Sequence, residues 1–342
     1  MSDILYNSRR VKVVPGSLNF FSELSPELSG AQRTPLESTS MSLQMRLLAA
    51  LPGRSGRSSW SSAEKVRDLM GRAHPSAPVP HELYQVNHVV TDTVTTADGE
   101  FTTHSLVPAT DDPRDTPLDI CIYVHGGGYV HGLSTAHWNF ISDIAGAGMK
   151  VIVPDYGLAP EYEATAAARL LDTVLDRAVA EADASGLGVR LAADSAGAGL
   201  ALGWMLDRTD RSNRTSRIDR VVLSSPWLDA TCSSPGTDEL AAEDPWLHPD
   251  GLRIAGEAWG RLVGVDSVLV SPLKASDAAL ASLPPVHIWS GTRDVLHADA
   301  TLLARRSGCG MTVVDGALHN FPLLRTPEGR TTRGEIISRL AE

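Results

Sequence analysis

The stretch VRLAADSAGAG, from Val189 to Gly199, reads as an apolar strand that passes directly into a helix. Ser195 stands at the junction, with Ala193 two residues before it and Gly197 two residues after it. Small residues at these two places allow the sharp strand-to-helix turn that holds a serine side chain exposed above a sheet. A serine in such a turn is also a common helix N-cap, so its role depends on what other strands bring near it.

Apolar runs and helical stretches alternate on both sides of this turn. The other runs that read as strands are 118–124, 150–156, 220–226, 286–291 and 311–316, and the helical stretches are 138–147, 164–182 and 199–206. Near-continuous apolar runs of this length are typical of parallel strands covered by helices on both faces. The sequence therefore predicts the α/β class, with a mostly parallel, twisted sheet between two helical layers.

A run of three glycines follows the strand predicted over 118–124, in the order His125-Gly126-Gly127-Gly128-Tyr129. In an open parallel sheet, ligands bind at the carboxyl ends of the strands, which is where this run lies. Because glycines have no side chains, their backbone N–H groups can approach a ligand oxygen closely, as an oxyanion hole requires. The alternative is a flexible turn, but the position directly after a buried strand favours the oxyanion hole.

Two further strand ends carry an acid and a base. Asp294 follows the strand predicted over 286–291, and His319 follows the one predicted over 311–316. Taken singly, an aspartate there is commonly a turn residue, and a lone histidine is commonly structural. Together with Ser195 they give the chain order serine, acid, histidine, which is the order of the α/β-hydrolase triad. We therefore predict a nucleophilic serine with a histidine base that an aspartate orients.

Short motifs along most of the chain resemble those of one family. They are HGGGYV, DYGLAPE, DSAGAG, SSPWLD, SPL, LPP, SGTRDVL and LHNF, between about residues 85 and 325. In order and spacing they resemble the hormone-sensitive-lipase-like family, the HGGG and GDSAG esterases of the α/β-hydrolase fold. The resemblance implies an esterase with this fold and a helical cap, which acts through an acyl-enzyme without a cofactor and usually prefers short acyl chains.

The catalytic roles of that family carry over to matching positions of this sequence. Ser195 would be the nucleophile, His319 the base and Asp294 its orienting acid. The oxyanion hole would be formed by backbone N–H groups, those of Ala196, Gly126, Gly127 and Gly128, with Gly127 and Gly128 foremost.

Three positions depart from the family pattern. Ala193 replaces the first glycine of the turn, and Gly157 stands where the family has an arginine. One extra methyl group at Ala193 is a change that a small strand adjustment can absorb, so we expect activity to be kept. The change at Gly157 lies outside the chemistry and concerns local packing. His297, in a stretch where relatives are acidic, is expected on the surface of a helix.

The first 85 residues differ in composition from the rest and are rich in Ser, Arg and Pro. Two short amphipathic helices are predicted there, one with Met41, Met45, Leu48 and Leu51 and one with Val66, Leu69, Met70 and Ala73. Ser61 and Glu64 have the spacing of a capping box. Such helices need another surface to bury their apolar stripes. We predict a cap or lid segment over 1–85 and a catalytic domain over 86–342, within which the family resemblance places more of the cap at about 230–270.

With 30 Lys and Arg against 41 Asp and Glu, the chain has a formal net charge of −11. This charge repels phosphate groups, so nucleic acid and membrane-surface partners are not expected. Three cysteines without CxxC spacing fit a reducing, cytoplasmic compartment, and we expect neither a signal peptide nor stable membrane insertion. The sequence has no HExxH, GxGxxG or Walker motif, so neither a metal nor a nucleotide cofactor is implied.

The same triad can serve other reactions. A lactonase, an amide deacetylase, an acyltransferase or a dehydratase would differ in pocket and water access, which the sequence does not separate. A non-catalytic small-molecule receptor is a rival from another class, because relatives of this family became hormone receptors by losing the histidine of the triad. The presence of His319 favours the enzyme. The expected partner is a small-molecule ester. The sequence is compatible with a homodimer.

Overall fold

The computed structural model describes residues 41–50, 57–109, 119–207 and 216–342. Its strands are β1 (Asn87–Thr96), β2 (Gly99–Pro108), β3 (Asp119–Val124), β4 (Lys150–Asp155), β5 (Gly188–Asp194), β6 (Ile218–Ser224), β7 (Val286–Arg293) and β8 (Gly310–Leu318). Within the described ranges they form one sheet in the order β1-β2-β4-β3-β5-β6-β7-β8. Strands β3 to β8 pair in parallel, whereas β2 pairs antiparallel with β1 and β4. The predicted α/β class with a mostly parallel sheet is confirmed.

Helices precede the sheet and connect its strands. They are α1 (Leu43–Ala50), α2 (Arg57–Trp60), α3 (Ala63–Met70), α4 (Thr135–Gly146), α5 (Ala164–Ser185), α6 (Ser195–Leu206), α7 (Thr237–Glu243), α8 (Pro249–Trp259), α9 (Asp277–Ala281), α10 (His297–Ser307) and α11 (Pro327–Ala341). Each strand and helix predicted between 118 and 316 is present with shifted ends, and Leu118 lies outside the described residues. No helix in the described ranges is both long and apolar enough to cross a lipid bilayer.

The antiparallel pair of β1 and β2 has no counterpart in the sequence prediction. Strand β1 lies at the edge of the sheet, and of its ten residues only Asn87 and Val94 are buried. Near-continuous apolar runs mark strands that are covered on both faces. An edge strand with one side in solvent does not need such a run, so the pattern was absent.

The sheet separates two core layers. In β3, Ile122 packs with residues of α5 and α6, whereas its neighbour Tyr123 packs on the other face with residues of α4 and α11. Cys121 is buried in the second layer, where a small apolar residue was predicted. Because both faces are covered, strand residues of either orientation are apolar. The loops that follow β3, β5, β6, β7 and β8 then meet at one edge of the sheet.

The N-terminal helices α1 and α3 lie where the apolar spacing predicted them. Residues 1–40 and Leu51 of the predicted segment are outside the described residues. Helix α1 is tied to the start of α11 by Ser42, whose backbone N–H and Oγ donate to the Glu328 carboxylate at 2.6 and 2.8 Å. Met45 of α1 is completely buried. The apolar stripe of α1 is therefore covered, as such a short helix requires.

The start of α3 differs from the prediction by one residue. Ser62, rather than Ser61, has the extended backbone of an N-cap, and its Oγ accepts the Lys65 N–H at 3.3 Å. Glu64 is then the second residue of the helix. In a capping box, the glutamate that bonds back to the N-cap backbone is the third residue of the helix. The predicted capping box at Ser61 is therefore wrong, and Ala73 lies beyond the end of the helix.

Candidate active site

The structure brings Ser195, His319 and Asp294 together at the carboxyl edge of the sheet. Ser195 begins α6 directly after β5, Asp294 follows β7, and His319 follows β8. His319 Nε2 lies 3.0 Å from Ser195 Oγ, and His319 Nδ1 lies 3.0 Å from Asp294 Oδ2. The hydrogen bonds thus run from carboxylate to imidazole to hydroxyl, an arrangement that activates a serine for nucleophilic attack.

The backbone at Ser195 explains why its neighbours are small. Ser195 has a φ of 49°, in the left-handed region, so the chain turns sharply out of β5. A Cβ atom at Gly197 would lie 2.3 Å from the carbonyl oxygens of Val124 and His125, which excludes a side chain there. Ala193 is 4% exposed, so the methyl group that departs from the family pattern is accommodated in the core.

Burial and neighbouring negative charges shift the pKa of His319 in opposite directions. Burial alone would lower the pKa of His319, but the charge of the Asp294 carboxylate and its hydrogen bond raise that pKa above its ordinary value. Two further carboxylates, those of Asp244 and Asp194, act in the same direction as Asp294. Asp294 is 0% exposed, and its Oδ1 accepts the Leu296 N–H at 2.9 Å. The raised pKa favours the imidazolium ion that forms when His319 takes the serine proton.

Within the glycine run, one backbone N–H group has an acceptor in the described structure and two do not. The Gly126 N–H donates to Asp194 Oδ1 at 3.0 Å, so Gly126 does not fit the oxyanion role predicted for it. Among the described residues, the N–H groups of Gly127 and Gly128 meet no acceptor, and both glycines have positive φ values of 124° and 62°. Ala196 is the second residue of α6, where helical N–H groups lack an internal partner.

Asp194, directly before the serine, is a site residue that the sequence reasoning missed. Its carboxylate is 1% exposed and accepts hydrogen bonds from Tyr123 Oη at 2.7 Å, Asn320 Nδ2 at 2.7 Å and the Gly126 N–H. Burial alone would raise the pKa of Asp194, but nearby His137 and the donated hydrogen bonds lower it to about 2. The charged carboxylate thus joins the serine turn to the glycine run and to the loop after β8. The sequence feature that could have identified Asp194 was its position as the first residue of the DSAGAG motif.

The loop after β6 supports the serine turn from another side. The Trp227 N–H donates to the Ser195 carbonyl oxygen at 3.1 Å, and Ser225 Oγ accepts the Asn320 N–H at 2.9 Å. The Trp227 ring is buried beside Tyr129, with 5.1 Å between the ring centroids. This loop, which carries the SSPWLD motif, therefore places the Trp227 ring next to the serine turn.

Trp60 of α2 connects the N-terminal segment to the glycine run. A Cβ atom at Gly128 would lie 2.3 Å from Trp60 Cη2, so the ring occupies the space that the missing side chain leaves. A Cβ atom at Gly251 in α8 would lie 2.1 Å from the Trp60 carbonyl oxygen. Trp60 is 6% exposed. Helix α2 and helix α8 therefore meet above Gly128.

Of the two other departures from the family pattern, Gly157 concerns packing, whereas the His297 N–H donates to the carbonyl oxygen of the proposed triad acid Asp294 at 2.9 Å. A Cβ atom at Gly157 would lie 2.2 Å from Tyr162 Cγ, so the Tyr162 ring fills this space and the change concerns packing. His297 is the first residue of α10, but it is half-buried, and its Nδ1 lies 3.0 Å from Ser290 Oγ. His297 therefore lies in a helix, as expected, but its side chain is only partly exposed.

The structure places no metal-binding cluster of three or more His, Cys, Asp or Glu side chains within its described ranges. The cysteines Cys121, Cys232 and Cys309 are free thiols, and the first two are buried.

Comparisons with known proteins place this chain among hydrolases of similar sequence. A sequence profile of the alpha/beta hydrolase fold matches residues 121–323. An acetyl-hydrolase of Streptomyces hygroscopicus is 33% identical over 209 residues, which make up 60% of this chain and 65% of that protein, just under two thirds of its length. An esterase of Fusarium pseudograminearum is 27% identical over 235 residues, or 65% of this chain and 72% of the relative.

A solved structure shows the same fold over most of the chain. A thermostable esterase from Pseudomonas putida superposes with a TM-score of 0.69 at 21% identity, covering 89% of this chain and 99% of that one. The matched profile spans more than half of the sequence and includes the serine, the acid and the histidine. The protein therefore belongs to the alpha/beta hydrolase fold family.

Proposed function

We propose that this protein is a serine hydrolase that cleaves carboxylic esters through an acyl-enzyme intermediate. The observation that carries the proposal is the continuous line of hydrogen bonds from Asp294 through His319 to Ser195. The relatives named as an acetyl-hydrolase and an esterase support ester cleavage as the reaction. More finely, we assign the protein to the hormone-sensitive-lipase-like group on the basis of its HGGG and DSAGAG motifs.

The first half of the reaction follows from the positions of three side chains. Ser195 Oγ attacks the acyl carbon while His319 Nε2, at 3.0 Å, takes the hydroxyl proton. Asp294 holds the proton on His319 Nδ1 and stabilises the imidazolium ion. A tetrahedral intermediate forms, and its former carbonyl oxygen becomes negatively charged.

This oxyanion needs hydrogen-bond donors that are already in place. We assign the role to the backbone N–H groups of Gly127, Gly128 and Ala196. When the intermediate collapses, the ester C–O bond breaks and His319 gives its proton to the leaving alcohol. The histidine then takes a proton from water, and the resulting hydroxide attacks the acyl carbon of the acyl-enzyme. The bond from that carbon to Ser195 Oγ breaks while His319 returns the proton to Oγ, which releases the acid and restores Ser195.

We expect short acyl groups, as the family resemblance implies and as the relative named acetyl-hydrolase supports. The rings of Tyr129 and Trp259 are stacked with 4.4 Å between centroids, and Trp227 lies beside them. Trp259 belongs to the proposed cap part over 230–270, and Trp60 to the proposed lid over 1–85. We propose that these two parts together cover the site on a catalytic domain over 86–342.

Labelling with a fluorophosphonate probe tests the proposal, because the probe reacts with activated serines. We expect labelling of the wild type and of Ser282→Ala, a control at an exposed serine, and no labelling of Ser195→Ala. In a panel of aryl esters from acetyl to palmitoyl, turnover should be highest for the shortest acyl groups. Labelling or substantial ester hydrolysis by Ser195→Ala would refute the proposed mechanism.

A further inference from the structure

Asp244, in the segment between α7 and α8, reaches the loop that carries the proposed triad acid. Its carboxylate is 0% exposed. One oxygen, Oδ1, accepts the backbone N–H groups of Trp246 at 2.7 Å and Leu247 at 2.9 Å, within its own segment. The other oxygen, Oδ2, accepts the Val295 N–H at 2.9 Å. Val295 directly follows the acid, so Asp244 joins the segment after β6 to the loop after β7.

The same loop is held on both sides of Asp294. The Leu296 N–H donates to Asp294 Oδ1 at 2.9 Å, so two successive N–H groups of one loop bind two different carboxylates. On the other side, Arg293 Nη2 donates to the Glu243 carbonyl oxygen at 3.3 Å. The adjacent residues Glu243 and Asp244 therefore fix the loop before and after the acid.

The two carboxylates also act together on the imidazole. In the described part of the chain, neither Asp244 nor Asp294 forms an ion pair with a lysine or an arginine. Burial and the neighbouring Asp294 raise the pKa of Asp244 to about 6. The negative charge of Asp244 is one of the contributions that raise the pKa of His319. Charged and titratable groups surround this pair of carboxylates and the imidazole. They are Arg293 at the end of β7, His297 at the start of α10, His319 after β8, Asp194 at the end of β5, and Glu243 next to Asp244.

We infer that Asp244 is a positioning residue of the site: it fixes the loop that presents Asp294 and adds negative charge behind His319. The inference rests on the proposed ester hydrolysis by Ser195. Asp244 acts through Asp294 and makes no hydrogen bond to His319 or Ser195, so it is not a catalytic residue. Its role is to orient the acid and to strengthen His319 as a base.

The isosteric variant Asp244→Asn removes the charge with little change in shape. A matched control is Asp119→Asn, at the opposite end of the sheet, because Asp119 Oδ1 likewise accepts a backbone N–H, that of Gly188. The pKa of His319 is read from the proton resonance of His319 Nδ1–H, assigned by its absence in His319→Ala. The acid limb of the kcat/KM profile for an aryl acetate gives a second readout.

In Asp244→Asn we expect the pKa of His319 to fall by roughly half a unit to one unit, because a negative charge that favoured the imidazolium ion is gone. The acid limb of kcat/KM should move to lower pH by the same amount. We expect kcat to fall about tenfold with little change in KM, since the loop orients a group that acts in the transition state. Asp119→Asn should leave all three quantities at wild-type values.

A wild-type titration keeps the inference testable even where Asp244→Asn does not fold. The His319 Nδ1–H resonance should show a second, smaller step near pH 6, from ionisation of Asp244. The absence of this step, an unchanged pKa of His319 in a folded Asp244→Asn, or an equal shift in Asp119→Asn would overturn the inference. Because the resonance needs no substrate, loss of the proposed esterase function would show separately, as absence of turnover and labelling in the wild type.

Discussion

His319 Nε2 lies 3.0 Å from Ser195 Oγ, although the two residues are 124 positions apart in the sequence. The residues follow strands β8 and β5, which are themselves separated in the sheet by β6 and β7. Parallel strands end at the same edge, so loops distant in sequence converge there. The contact therefore depends on the order of the whole sheet and on the two loops that cross its edge.

Turnover should depend on pH through the protonation state of His319. His319 must be neutral to take the serine proton, and its pKa is raised above the ordinary value of 6.5. The kcat/KM profile should therefore fall as pH drops, with a midpoint above 6.5. Asp294→Asn should move this midpoint to lower pH and lower kcat by about 10⁴-fold, because the carboxylate no longer stabilises the imidazolium ion. A midpoint that stays in place in Asp294→Asn would contradict the assigned role.

The triad should behave as one unit. Ser195→Ala and His319→Ala should each lower kcat by about 10⁴- to 10⁶-fold, and the double variant should lose little more. Aryl acetate turnover measures these values, and thermal midpoints check that each variant is folded. Losses that multiply in the double variant would show that the two residues act independently.

Position 193 tests whether the serine turn is tightly packed. Ala193 lies in β5 between Val124 of β3 and Leu223 of β6. Ala193→Gly should fold and keep activity within about tenfold, with a modest cost in chain entropy. Ala193→Val should displace Ser195 or lower stability by roughly 1 to 3 kcal/mol through overpacking. Wild-type turnover and thermal midpoint in the valine variant would show that the turn has spare room.

Trp60 gives a direct test of the proposed lid. Because its ring lies against Gly128, Trp60→Ala should open space above the predicted oxyanion donors and raise relative activity on longer acyl chains. Leu43→Ala, at an exposed position of α1, is the control and should keep the wild-type chain-length preference. The aryl ester panel measures both. The lid proposal fails if a folded Trp60→Ala shows an unchanged preference.

The buried carboxyl group of Asp299 should make the folding stability of the protein depend on pH, separately from catalysis. It is buried in α10 and accepts the Leu228 and Asp229 N–H groups at 2.7 and 3.0 Å and the Ser234 hydroxyl at 2.5 Å. Burial raises the pKa of Asp299 from its ordinary value of 3.8 to about 7. The folded state therefore binds this proton more tightly than the unfolded chain does.

The stabilising contribution of that proton is complete below pH 3.8 and is lost as pH rises through about 7. Asp299→Asn does not titrate, so its stability relative to the wild type should increase between these limits, by roughly 1.4 kcal/mol per unit of pKa shift. Thermal midpoints of both proteins across this range provide the measurement. A difference that is constant with pH would contradict the raised pKa.

Some site residues could be predicted from the sequence because their requirements are local. A turn that exposes Ser195 needs a small residue such as Gly197 beside it, and a strand buried on both faces needs an apolar run. Both requirements leave patterns that can be read along the chain. Asp244 leaves no such pattern, since nothing near it in sequence shows that its carboxylate binds the loop after β7.

By itself, the sequence determined the α/β class and the order in which the motifs follow the parallel strands, and it singled out Ser195, Asp294 and His319 as the candidate triad. Only the tertiary structure decided that the Gly126 N–H donates to Asp194 instead of facing the site, and that the edge pair β1 and β2 completes the sheet. The physical reason is that burial periodicity and backbone turns are imposed on neighbouring residues. The acceptor that an N–H group meets, and the field that sets a pKa, come from atoms brought close only when the chain folds.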